Sequence, residues 1–108
     1  MTYEQIVEKA QAIAAKGSAE KIKDHLAIQY NITGEGAGAF YMEIKDGKIS
    51  VCPYEYYDRD ILVTGSGENI LAMMEGKLDM VGAYLSGKIK AQGDFSKLDI
   101  LKSLIARK

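Results

Sequence analysis

The 108-residue chain predicts an α+β domain: a five-stranded, mostly antiparallel sheet with helices covering one face. Apolar residues recur with helical spacing at both ends and between 68 and 85, and alternate with a period of two from Leu26 to Val51. Glycines, or the pair Asp46-Gly47, stand where one period gives way to the other.

The first helix starts after Thr2, because Thr2-Tyr3-Glu4-Gln5 has the spacing of a capping box. It gathers Ile6, Val7, Ala10, Ile13 and Ala14 on one face and ends at Gly17. A second, short helix from Ser18 to about His25 carries Ile22 inward, with Lys21 and Lys23 in solvent. The first strand follows: Leu26, Ile28, Tyr30 and Ile32 point one way, Ala27, Gln29, Asn31 and Thr33 the other. After the loop Gly34-Glu35-Gly36-Ala37-Gly38, a second strand alternates Phe40, Met42 and Ile44 with Tyr41, Glu43 and Lys45. Asp46-Gly47 then makes a hairpin turn into Ile49 and Val51. This antiparallel meander has one oily and one polar face, so helices must cover the oily one.

Pro53 closes the third strand, and 54–60 has no clean period, which suits a connection crossing the sheet. Residues 60–64 read as a fourth strand. Ser66 or Gly67 caps a helix over 68–75, Gly76 stops it, and a short helix covers 80–85. The fifth strand, 87–92, turns Ile89 and Ala91 inward and Lys88 and Lys90 outward. Asp94 caps a last helix with the stripe Leu98, Leu101, Leu104 and Ile105.

Composition narrows the function. One domain over 1–108 is expected, with 14 Lys+Arg against 15 Asp+Glu and a net charge of -1. A phosphate-backbone reader is more basic, so nucleic acid is not an expected partner. The apolar runs are too short to cross a bilayer, and the first twenty residues lack a signal-peptide core, so the cytoplasm is the expected location. Cys52 stands alone, which leaves no internal disulfide and no multi-cysteine metal site; it reads as a half-buried strand residue. Neither a metal nor a cofactor is expected.

Few residues invite chemistry. The glycine loop at 34–38 leads into a strand, where a dinucleotide fingerprint needs a helix. His25 has no acid or nucleophile near it in the chain, and Glu55, Asp58 and Asp60 in a tyrosine-rich loop read as solvated carboxylates. Tyr54, Tyr56 and Tyr57 suit packing under the crossover, a tunnel mouth or a membrane contact. Lys77, Lys88 and Lys90 read as solvent-facing charges, with a ligand carboxylate or phosphate as the alternative role. No catalytic residue emerges, and the chain is not expected to be an enzyme.

The most informative stretch is Gly76-Lys77-Leu78-Asp79, then Ala83-Tyr84-Leu85-Ser86-Gly87-Lys88-Ile89-Lys90, then Gly93-Asp94. In that order it resembles the sterol carrier protein type two family, the SCP-2 sterol-binding domains, over nearly the whole chain and most strongly over 61–104. The resemblance implies the order helix, three-strand meander, crossover, strand, helices, strand, helix, with a hydrophobic tunnel between sheet and helices. It implies non-enzymatic binding or transfer of a fatty acid, fatty acyl-CoA, phospholipid or sterol-like molecule. The terminal Ile105-Ala106-Arg107-Lys108 is not the peroxisomal tripeptide of some members.

Inward-facing positions, taken with the matching family segments, give the ligand-binding set Phe40, Met42, Leu71, Met74, Leu78, Val81, Tyr84, Leu85, Leu98 and Leu101. The alternative function is an accessory domain whose apolar groove binds a partner of lipid metabolism. Transient membrane contact and a lipid-metabolising enzyme are the further partners this reading admits. A small enzyme acting on an acyl substrate is a third reading, and it requires His25 or the pair Asp58 and Asp60 to face the cavity.

Burying about fifteen methylenes at about 0.8 kcal/mol each yields roughly 12 kcal/mol gross, against an association cost of about 4–15 kcal/mol. Useful affinity then needs no strong polar contact. An empty void of about 300 Å³ costs roughly 7 kcal/mol, close to the whole stability of a small domain. The unliganded chain is therefore expected to loosen or collapse around Met73, Met74 and Met80, whose flexible thioethers repack readily. Palmitate or oleate should raise its melting temperature in a thermal scan; identical curves with and without lipid would contradict the unfilled interior.

Overall fold

A computed structural model describes residues 1–16 and 25–97. The second helix expected at 18–25, apart from His25 at its end, and the last helix beyond Lys97 lie outside the described residues. Helix α1 (Tyr3–Ala15) is followed by strands β1 (Leu26–Thr33), β2 (Gly38–Lys45), β3 (Lys48–Cys52) and β4 (Ile61–Ser66). Helices α2 (Gly67–Met74) and α3 (Met80–Leu85), strand β5 (Ile89–Gly93) and a 3-10 turn at Phe95–Lys97 complete the order. The five strands form one sheet in the order β3-β2-β1-β4-β5. All pairs are antiparallel except β1 with β4.

The caps form where the sequence places them. Thr2 Oγ1 accepts from the Gln5 N–H at 3.2 Å while Gln5 Oε1 accepts from the Thr2 N–H at 2.9 Å. Ile6, Val7 and Ala10 are buried on the inner face of the sheet, with Ile13 and Ala14 half-buried beside them. The Tyr3 hydroxyl donates to the Ala39 carbonyl at 2.5 Å and Gln11 Nε2 to the Val51 carbonyl at 3.2 Å, which pins α1 to β2 and β3. Ser66 caps α2, accepting from the Asn69 N–H at 3.2 Å, and α2 buries Ile70, Leu71, Met73 and Met74. Asp79, which the sequence reading did not single out, caps α3 by accepting from the Gly82 N–H at 2.8 Å.

The other face of the sheet departs from simple alternation. Ala27 and Gln29, expected on the polar face, are buried. The physical reason is the 53–60 connection, which must carry the chain from β3 at one edge past β2 and β1 to β4. It lies over the polar face, and Gln29 meets its backbone: Oε1 accepts from the Tyr56 N–H at 3.1 Å and from Arg59 Nη1 at 3.4 Å, while Nε2 donates to Asn31 Oδ1 at 2.8 Å. The buried amide is thereby satisfied.

Glu43 on β2 is a second anchor. Its Oε2 lies 2.7 Å from His25 Nε2 and accepts from the Tyr56 hydroxyl at 2.9 Å. The hydrogen bond with His25 holds the Glu43 carboxyl below the usual glutamate range, burial opposes this in part, and the Tyr56 hydrogen bond adds to it. Tyr41, edge-on to Tyr56 with centroids 4.9 Å apart, is pushed up to about 12 by its hydrogen bond with half-buried Cys52 and then by burial.

Asp60 closes the crossover. Its N–H donates to the Ala27 carbonyl at 2.8 Å, and its Oδ2 accepts from the Ala27 N–H at 2.8 Å. Its carbonyl accepts from the Asp94 N–H at 2.7 Å, and Oδ1 pairs with Lys97 Nζ at 2.8 Å. This carboxylate, read from sequence as solvated, joins the start of β1 to the turn after β5. The chain fits there only because Gly93 lacks a side chain: a Cβ would collide with the Asp60 carbonyl oxygen and lie 2.9 Å from Ile61 Cα, at a φ of +127°.

Two stability measurements check this arrangement. Gly93→Ala should lose more than about 2 kcal/mol in urea denaturation, whereas Gly87→Ala, at φ +81° with nothing within 4 Å, should lose only about 1 kcal/mol from backbone strain. Equal losses would refute the packing argument at Gly93. For Glu43, a lowered native value means that its stabilisation is fully present above the unfolded value of about 4.3 and disappears as pH falls through the native one. The stability gap between the natural chain and Glu43→Gln should therefore narrow as pH falls below about 4.3; a gap that stays constant there would show that Glu43 is not held in this way.

Candidate functional site

The inner face of β1 and β2 forms an aromatic and thioether floor. In the register Tyr30↔Phe40 and Ile28↔Met42, the rings of Tyr30 and Phe40 stack with centroids 5.0 Å apart and planes 23° from parallel. Complete burial pushes the Tyr30 phenol well above the usual tyrosine value, so it stays neutral. Leu71, Met73 and Met74 of α2 belong to the same buried cluster, and Leu78 and Met80 pack half-buried against it.

From there the apolar surface reaches solvent. Helix α3 buries Ala83 and packs Met80 half-buried against the core, leaving Val81 at 39%, Tyr84 at 48% and Leu85 at 77% exposure. Phe95, just after β5, is also exposed, with its ring centroid 6.5 Å from that of Tyr84. Of the expected ligand-binding set, Phe40, Met42, Leu71 and Met74 are buried in the core and Leu78 is half-buried. Val81, Tyr84 and Leu85 lie on the surface of α3, and Leu98 and Leu101 lie outside the described residues. The structure thus brings the first five together in or against one cluster and places the next three at its margin.

A feature absent from the sequence reading is an open groove of about 430 Å³ between α1 and α2. Ile13, Leu71 and Ala72 line it together with Lys9, Lys16, Glu68 and Glu75. Leu71 thus borders both the groove and the buried layer. The groove depends on how two helices separated by the meander pack together, and the only sequence signal for it is the apolar flank that Ile13 extends beyond Ile6 and Ala10.

The residues weighed for chemistry lie elsewhere. His25 does have a carboxylate partner, Glu43, but the pair lies on the polar sheet face beneath the crossover, away from α1 and α2. Asp60 is engaged by Ala27 and Lys97, and Asp58 is exposed. The glycine loop at 34–38 joins two strands, as expected. Lys77, Lys88 and Lys90 are exposed, and Lys77 Nζ lies 3.4 Å from Glu75. Among the described residues no three His, Cys, Asp or Glu side chains converge as a metal site, and no buried side-chain N or O lacks a hydrogen-bond partner. The layer between sheet and α2 therefore offers water exclusion and dispersion contacts to a ligand.

Comparison with known proteins gives a consistent placement. The chain is 29% identical over 89 residues to hydroxysteroid dehydrogenase-like protein 2 of Xenopus tropicalis, covering 81% of this chain and 21% of that protein. It is 31% identical over 71 residues to sterol carrier protein 2 of Rattus norvegicus, covering 66% of this chain and 13% of that protein. The chain thus spans about a fifth or less of the length of these two curated relatives. The crystal structure of sterol carrier protein 2 like 2 from Aedes aegypti superposes with a TM-score of 0.67 at 25% identity, covering 94% of each chain. The same order of helices and strands therefore recurs there over almost the full length. With residues 5–106 matching its pattern, the chain belongs to the SCP-2 sterol transfer family.

Proposed function

We propose that this chain is a non-enzymatic lipid carrier that holds the hydrocarbon part of its ligand between the inner sheet face and helices α2 and α3. The ligand is a fatty acid, fatty acyl-CoA, phospholipid or sterol-like molecule. The observation that carries this reading is the run of apolar side chains from the stacked Tyr30 and Phe40 through Leu71, Met73 and Met74 to exposed Tyr84, Leu85 and Phe95. A surface apolar strip continuous with a buried thioether-rich layer suits a guest that enters from solvent and is enclosed by adaptable walls. Membership of the SCP-2 sterol transfer family supports the same reading.

A second reading is favoured by one specific observation. The matched region is 21% of hydroxysteroid dehydrogenase-like protein 2, so similar domains occur as parts of larger proteins. On that reading the apolar groove serves a partner of lipid metabolism in place of a free ligand.

Native mass spectrometry of freshly isolated protein separates the two: a retained lipid mass supports the carrier, and a dry protein that co-purifies with an enzyme supports the accessory domain. In palmitate titrations, replacing Tyr84 and Leu85 with serine should weaken binding about tenfold, the equivalent of about 1.4 kcal/mol of lost apolar contact. Because both side chains are exposed, the melting temperature without lipid should barely change. Unchanged affinity in that variant would remove α3 from the binding site.

A further inference from the structure

The crossover at 53–60 presents two tyrosines that the fold does not use. Tyr54 is 68% and Tyr57 95% exposed, while Tyr56 between them is tied down through its N–H to Gln29 and its hydroxyl to Glu43. The anchoring amide, Gln29, is only 3% exposed. Arg59 turns back onto Gln29 Oε1 and the Tyr56 carbonyl, at 3.4 and 3.5 Å. The backbone that carries the outer rings is therefore held at its middle and at its end, and their presentation is preset.

The exposed charges of the strap are mostly acidic. Glu55 and Asp58 alternate with the tyrosines and are exposed. The ion pairs among the described residues are Met1 with Glu35, His25 with Glu43, Lys77 with Glu75 and Lys97 with Asp60, so neither Glu55 nor Asp58 is used. Arg59 is the sole cation of the segment 53–60; it is exposed, with Nη1 3.4 Å from Gln29 Oε1, and Glu55 and Asp58 outnumber it. Two exposed tyrosine rings among a surplus of acidic groups are complementary to guanidinium and ammonium groups. They would repel nucleic acid or an anionic bilayer, and residues 53–58 include no Leu, Ile, Val or Phe to insert into a membrane.

We infer that this strap is a docking surface for a partner protein segment carrying arginine or lysine. Tyr54 and Tyr57 stack on its cationic groups, and Glu55 and Asp58 pair with them. Gln29 and Glu43, which anchor the middle of the strap, lie on the sheet face opposite α1 and α2.

The test titrates the isotope-labelled full chain with an acetylated hexa-arginine peptide at low ionic strength, where such contacts are least screened. Amide shifts should concentrate at 53–58, and Tyr54→Ala/Tyr57→Ala, which leaves every charge in place, should weaken binding about tenfold. Both residues are exposed, so the variant keeps the fold and the rest of its spectrum. Four outcomes overturn the proposal: no binding, affinity within about twofold in the variant, shifts centred on other exposed acids such as Glu68 and Glu75, or shifts spread over the surface. Two further controls count against it. If the same substitutions abolish self-association in sedimentation, the occupant is a second copy; if they abolish binding to phosphatidylglycerol vesicles, it is a membrane.

Discussion

The double coverage of β1 is the constraint on which the rest of the molecule depends. β1 is the central strand, antiparallel to β2 and parallel to β4, and Leu26 through Tyr30 are buried on both faces. A parallel pair cannot be joined by a tight turn, so the chain must leave β3, cross the sheet and return. Helices α1 and α2 occupy the inner face, and the crossing goes to the outer one. Eight residues without regular structure then lie on a sheet, and their backbone groups need partners. Gln29 supplies one for Tyr56, and Asp60 supplies the closing set with Ala27, Asp94 and Lys97. With the crossing confined to the polar face, the inner layer remains almost entirely apolar.

What was legible in the sequence and what was not divides along the range of the interactions. The Thr2 capping box, the Asp46-Gly47 hairpin, the 80–85 helix and the Pro53 stop all depend on residues within a few positions of one another, and each is found. The burial of Gln29 was not legible, because alternation shows only that a residue faces away from the helices, and nothing local reveals that a strap 27 positions later will cover it. The partner of His25 was hidden for the same reason. Glu43 is 18 residues away and meets His25 only because the β1–β2 register places Ala27 opposite Glu43. Asp60 looked like one of three loop acids, and its role appears only when β4 and the end of β5 come together around Gly93.

The apolar layer shows a similar division. Phe40, Met42, Leu71 and Met74 sit in strands and a helix long enough for periodicity to orient them, and they are buried. Helix α3 has only six residues, fewer than two turns, and a period of 3.6 cannot fix a face over that length. Its one buried residue is Ala83, the smallest apolar side chain present, while the bulky Val81, Tyr84 and Leu85 face outward. A helix that packs only an alanine and a half-buried methionine against the core gains little from its own packing. Its attachment depends instead on the Asp79 cap and the Lys88 N–H to Ala83 carbonyl bond, at 2.9 Å, that leads into β5.

The two faces of the sheet are held by forces of different character, and this determines which of them can adapt. The outer face is fixed by directional hydrogen bonds at Gln29, Glu43 and Asp60, where a small displacement leaves a buried donor or acceptor unpaired. On the inner face Leu71, Met73 and Met74 meet the strands through dispersion contacts, which tolerate sliding and rotamer exchange as long as no void opens. A change in the volume between sheet and α2 is therefore absorbed by α2 and α3, while the strands and strap keep their register. Adaptability of the inner layer therefore rests mainly with the thioether side chains of α2 and α3, against the fixed register of the sheet.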